Sequence, residues 1–253
     1  MTESEWLMCD DPRGMVRYLI GTDAARVQDV EVFPDCRTTD RKLRLFACAC
    51  YHRISHVLPI PDARDGVATA ERFADAAALE EERQRVEAHL FALVDAMEGQ
   101  WRTSRGADRA ALEPTYAALA LALQALWREA PKAAYYAPST AQFHLGSIMN
   151  PDADTRDPAN SPAGRAEARA QCGLLREIVG NPFRPVEFDP AWRTDTAVSL
   201  ARTMYESREF GAMPILADAL QDAGCDGDAV LNHCRQPGAH VRGCWVVDLV
   251  LGK

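Results

Sequence analysis

The sequence predicts an all-α protein of about eight to ten helices, arranged as a globular orthogonal or bundle-like array. Three observations carry that expectation. Apolar residues recur at i, i+3, i+4 and i+7 through most of the chain, the period of one helical face. Two-residue alternation, the mark of a half-buried strand, is confined almost entirely to Val30-Glu31-Val32-Phe33. Prolines and capping residues stand at the ends of several of the periodic stretches, as at Asp11-Pro12, Pro59 and Gly180.

The elements follow in order. Asp11-Pro12 supplies a cap and a first-turn proline for a helix carrying Met15, Tyr18 and Leu19. A second helix begins near Thr39-Asp40, and its stripe of Leu43, Phe46, Ala47, Cys50, Ile54, Val57 and Leu58 stops at Pro59. Asp65–Ala78 is Ala-rich and helical. Glu81–Met97 places Val86, Leu90, Val94 and Met97 on one face, and Asp108–Trp127 does the same with Leu112, Tyr116, Leu119, Leu123 and Leu126. From Pro131 to Pro162 five prolines interrupt the pattern, which predicts a long irregular connection crossing the surface. That segment divides an N-terminal lobe, 1–130, from a C-terminal lobe, 163–253, of a single helical domain.

Helices resume at Ala163–Val179, with Ala168, Cys172, Leu175, Ile178 and Val179 in register and Gly180 as terminator. Asn181-Pro182-Phe183-Arg184-Pro185 forces an extended turn. Thr194–Tyr205 and a helix opened by Pro214 and closed by Gly224 come next. Asp226 or Asp228 caps a short helix with Val230, Leu231 and Cys234. The run Trp245-Val246-Val247-Asp248-Leu249-Val250-Leu251 is β-branched, but with no second strand to pair it, a helix is expected. Phe46, Ile54, Leu90, Leu119, Leu123, Leu175, Leu216, Leu220 and Trp245 are the expected core, with Trp245 largely buried.

Composition narrows the function. At 253 residues, 47% hydrophobic and 26% charged, the chain can bury a core and lies clear of disorder. A net charge of −9, with no run of Lys or Arg, argues against nucleic acid as a partner. Lys occurs only at Lys42, Lys132 and Lys253; the Arg-rich balance is read as coding bias, not as ligand recognition. No segment approaches the ~20 consecutive apolar residues of a membrane span, and the N-terminus lacks a basic-then-apolar leader. A cytoplasmic location is therefore expected, with the eight cysteines as thiols or metal ligands and not as disulfides. Phosphate-binding Gly-rich loops, the GxSxG elbow, the HExxH helix and the zinc-deaminase signature are all absent.

Two Cys/His groups remain. Cys225, His233, Cys234, His240 and Cys244 crowd the C-terminus and offer the mixed thiolate and imidazole donors that zinc accepts. The close-spaced Cys pair of ordinary structural zinc sites is missing, and Cys234 and Cys244 fall on apolar stripes where a thiol serves as a small hydrophobe. Core packing is the favoured reading of these residues and zinc the alternative. In CACYHRISH, one helical face aligns Cys48, His52 and His56, while Cys50 turns toward Phe46 and Ile54; a solvated His pair is favoured over a site. As an outsider, Cys225 lies just ahead of a helix N-terminus where His233 or His240 would serve as base, although Asp226 and Asp228 oppose a thiolate. Asp248, inside an apolar run, calls for an ion partner such as Arg242 or Arg235.

Three segments, DRKLRLFACACYHRI (Asp40–Ile54), GNPFRPVEFDPAW (Gly180–Trp192) and Ile215–Lys253 with its HVRGCWVVDLVLGK ending, together resemble an abundant family of uncharacterised bacterial proteins found in large, paralogue-rich genomes. The resemblance spans both lobes and implies one integrated protein. It brings no catalytic residues, and Asp23–Arg37 stands before the first motif as an insertion-like segment. The functional expectation is a helical interaction or scaffold module with a protein partner and no catalytic activity. A structural zinc domain is the alternative.

Overall fold

A computed structural model of the chain describes residues 1–22, 27, 33, 35–58, 60–150 and 157–253. The expected alternation at Val30–Val32, most of the insertion-like segment, Pro59 and Pro151 lie outside the described residues. Those described form twelve α-helices and no strand, so the fold is all-α. None of these helices is long and apolar enough to cross a membrane.

The chain divides into two compact units, Glu3–Gly173 and Leu174–Lys253. In the first, α1 (Glu3–Met8) precedes α2 (Pro12–Ile20), where Asp11 caps the backbone N–H of Arg13 at 3.0 Å. Next come α3 (Asp40–Ile54), α4 (Pro61–Ala74), α5 (Glu80–Thr103), α6 (Gly106–Leu126) and α7 (Ala130–Met149). Thr39 caps α3 by accepting from the Lys42 N–H. Helices α3, α6 and α7 pack on one another, with α4 and α5 against α6. Of the expected core, all residues are buried except Leu123 and Trp245, which are half-buried.

The Pro131–Pro162 expectation is corrected here. Its first half is α7, whose Ala133, Ala134, Tyr135, Ala137 and Ala141 are buried. Pro131 occupies the first turn, where its missing N–H would have had no helical partner anyway. Pro138 sits inside the helix, and its carbonyl accepts a bond from the Gln171 side chain at 3.3 Å. Tertiary burial of an Ala-rich face outweighs the local cost of a proline. Pro158 falls in a short 3-10 turn and Pro162 opens α8 (Pro162–Val179).

One buried ion pair matters for stability. Arg53 donates to both oxygens of Glu167 at 3.0 Å, while Gln171 donates to the same carboxylate. Burial nonetheless pushes the Glu167 carboxyl above its ordinary range, with Arg53 pulling the other way.

The second unit holds the last turn of α8, then α9 (Asp195–Ser207), α10 (Met213–Asp222), α11 (Asp228–Arg235) and α12 (Trp245–Leu251). Thr194 caps α9, and Gly180 closes α8 in the left-handed region at φ 77°. Its core joins Ala201, Tyr205, Leu216, Leu220, Val230, Val246 and Val250. Here the expected helix from His240 is shortened: residues 236–244 are not helical, and α12 starts only at Trp245. That non-helical stretch carries His240 and Cys244. Asp248 is buried, and Arg235, one of its expected partners, bonds Asp218 and Gln221.

Candidate metal centre

Four donors converge in the second unit. Glu177 comes from the last turn of α8, His233 from the last turn of α11, His240 from the loop after it, and Cys244 from the residue preceding α12. Their ligand atoms all lie within 4.8 Å of one another. A tetrahedral ion with bonds of about 2.0–2.3 Å holds its ligands ~3.3–3.8 Å apart, a spacing that this group would reach by side-chain shifts.

The hydrogen bonds are specific. Glu177 Oε1 faces His240 Nδ1 at 2.9 Å, and Glu177 Oε2 faces His233 Nε2 at 3.3 Å. His233 Nε2 is also 3.3 Å from Cys244 Sγ. Behind it, the Trp245 indole N–H donates to His233 Nδ1 at 3.1 Å. Each chain segment is positioned by a local feature. Gly180, in a conformation that L residues rarely adopt, turns the chain away three residues after Glu177, and a Cβ there would lie 3.3 Å from the Trp245 ring. Gly243, at φ 93°, reverses the chain between His240 and Cys244.

Electrostatics separates the roles. Burial opposes ionisation of Glu177, but hydrogen bonds from His233 and His240 outweigh it and hold the carboxyl below its ordinary range. Burial pushes the Cys244 thiol well above its ordinary value, and the Glu177 charge adds to that; the Val247 and Val246 N–H groups pull the other way. Without a cation, then, the group is one carboxylate surrounded by donors, with a neutral thiol. A divalent ion would favour the thiolate and satisfy four donors at once. The arrangement can hold a metal ion.

Of the C-terminal residues singled out from sequence, the structure brings His233, His240 and Cys244 together. It does not bring in Cys225 or Cys234, which pack in the apolar core of the unit. Burial pushes the Cys234 thiol up to about 12, with Glu177 and Cys225 adding to the effect. At Cys225, the outsider nucleophile, burial raises the thiol, the Gly227 backbone opposes that and Asp226 adds to it. Among the described residues no hydrogen bond joins Cys225 to either histidine, and His240 is turned toward Glu177. The second cluster does not assemble either. Cys48 and Cys50 are buried on α3, His56 is exposed, and His52 pairs with Glu71 at 2.8 Å.

Sequence reasoning missed Glu177. The signal was present: it is the one carboxylate in the apolar run Leu174-Leu175-Arg176-Glu177-Ile178-Val179, three residues after buried Leu174 and so on its helical face. The chain matches no family model, no curated protein and no solved structure among those with which it was compared.

Proposed function

We propose that the C-terminal unit is a metal-supported helical domain, with zinc held by Glu177, His233, His240 and Cys244 in a structural role. The observation that carries this reading is the convergence of four mixed donors from separate parts of the unit, with Cys244 0% exposed and Glu177 9% exposed. Two imidazoles, one thiolate and one carboxylate suit zinc better than calcium or magnesium, which take oxygen ligands. Four protein ligands leave no open position for substrate, which argues for structure over catalysis. The ion would fasten the non-helical stretch before α12 to the end of α8, where the backbone has no helical ladder of its own.

The interaction-module reading has less behind it. The most exposed large apolar side chains include Met8 on α1, Leu79 and Phe91 at the start and middle of α5, and Ile215 on α10, and scattered apolar residues are ordinary on a surface.

Elemental analysis of freshly purified protein tests the proposal. About one equivalent of zinc is expected, falling sharply in Cys244→Ser and in His240→Ala and unchanged in Cys225→Ser. Less than about a tenth of an equivalent, from protein never exposed to chelator, overturns it, because structural sites bind too tightly to lose the ion by dilution.

A further inference from the structure

We propose that Trp245 is a positioning residue that holds the centre in its unloaded form, through the hydrogen bond from its indole N–H to His233. This rests on the metal reading of Glu177, His233, His240 and Cys244. Indole Nε1 is a donor only, and neutral imidazole carries one N–H and one bare nitrogen. At 3.1 Å from Trp245 Nε1, His233 Nδ1 must be the bare nitrogen. The proton therefore sits on Nε2, the atom that points at Glu177 Oε2 and Cys244 Sγ, both 3.3 Å away and both able to accept.

That is the reverse of ordinary metal-site support. A ligating histidine usually donates its outer N–H to a carbonyl or carboxylate, which leaves the inner nitrogen free for the ion. In this centre the outer partner is itself a donor. For His233 Nε2 to take a metal, its proton must move to Nδ1, where it would face the indole N–H head on, or the indole must yield. The indole is packed on one side by Gly180, close enough that a Cβ there would stand 3.3 Å from Cγ and 3.5 Å from Cδ2. Its ring centroid is 5.0 Å from that of His233. The left-handed Gly180 turn, the indole and the tilted His233 ring thus lie in sequence, with a hydrogen-bond polarity that opposes loading of the site. Loading breaks one part-buried hydrogen bond.

The test is Trp245→Phe, which keeps an aromatic ring and removes the N–H. In metal-free wild-type protein, side-chain ¹⁵N NMR is expected to show His233 protonated at Nε2, with a coupling across the hydrogen bond from Trp245 Nε1 to His233 Nδ1. In Trp245→Phe the His233 nitrogen shifts are expected to move toward the Nδ1-protonated form. Competition titration with Zn²⁺ is expected to show about tenfold tighter binding in Trp245→Phe, the size of one net hydrogen bond. Wild-type protein with His233 protonated at Nδ1 and no coupling to Trp245 overturns the inference, and this holds even if the variant does not fold. Equal or weaker zinc binding by a folded variant also overturns it. A wild-type protein that binds no zinc yet shows the Nε2 tautomer and the coupling defeats the metal reading, and with it the lock, while leaving the hydrogen bond established.

Discussion

Glu177→Gln isolates the centre of the four-residue group, because every other member leans on that carboxylate. In metal-free protein the wild-type side chain accepts from His240 Nδ1 at 2.9 Å and from His233 Nε2 at 3.3 Å, with the Cys244 thiol beside it. Hydrogen bonds to a charged group contribute about 1.5–3 kcal/mol each. Gln keeps one acceptor oxygen but sets an NH2 group against a ring N–H or the thiol, so one bond is lost and a donor is left facing a donor. A net destabilisation of about 2–4 kcal/mol follows.

The assay is urea denaturation of chelated protein, following the midpoint at unchanged slope. The pH dependence fixes the cause. The folded carboxyl lies below its ordinary value, so its contribution is complete above the usual carboxylate range and is lost as pH falls through the lowered folded value. The gap between wild type and Gln is thus expected to be present above the usual carboxylate range and to close as pH falls through the lowered folded value. A variant within about 0.5 kcal/mol of wild type at pH 7 would refute the reasoning. So would a gap that survives full protonation.

Gly180→Ala forces a Cβ into a left-handed turn and to 3.3 Å from the Trp245 ring, and is expected to cost about 1–2 kcal/mol; Gly180→Asn costs less, which paired thermal melts would read. Arg53→Leu leaves Glu167 buried without its cation, a loss of about 2–3 kcal/mol, and the double variant Arg53→Leu/Glu167→Leu recovers much of it in the same denaturation assay. Cys225, buried and with its thiol raised, is expected to react with iodoacetamide near neutral pH no faster than an ordinary thiol; mass spectrometry showing preferential labelling would restore the nucleophile idea.

Helix identity was legible because it is a local property here. Asp11, Thr39, Thr194 and Gly180 all cap where their side chains or backbone freedom say they should. The failures have a common cause in tertiary packing. Prolines at 131 and 138 read as breaks, yet α7 lies buried between α3 and α6, and its Ala-rich face supplies what the missing N–H withholds. Trp245 does pack against the apolar cluster of the second unit as expected, and its N–H bonds His233.

The candidate centre was legible only in its local half. His233, His240 and Cys244 fall within twelve consecutive residues, so any compact fold keeps them near one another. Spacing rules for zinc look for exactly such local groups, and by those rules this one lacked a close Cys pair. What completes it is Glu177, 56 residues before His233, on a helix whose drawn stripe of Leu175, Ile178 and Val179 passes it by. Only the turn at Gly180 and the packing of α9 to α12 decide that the end of α8 meets the segment before α12. A carboxylate embedded in an apolar helical run is therefore the more useful signal than the cysteines themselves, since burial obliges it to find cationic or donor partners. Starting from Glu177, the donors able to satisfy it are the two histidines and Cys244; starting from the cysteines, the same three residues arrive mixed with Cys225 and Cys234, which are core.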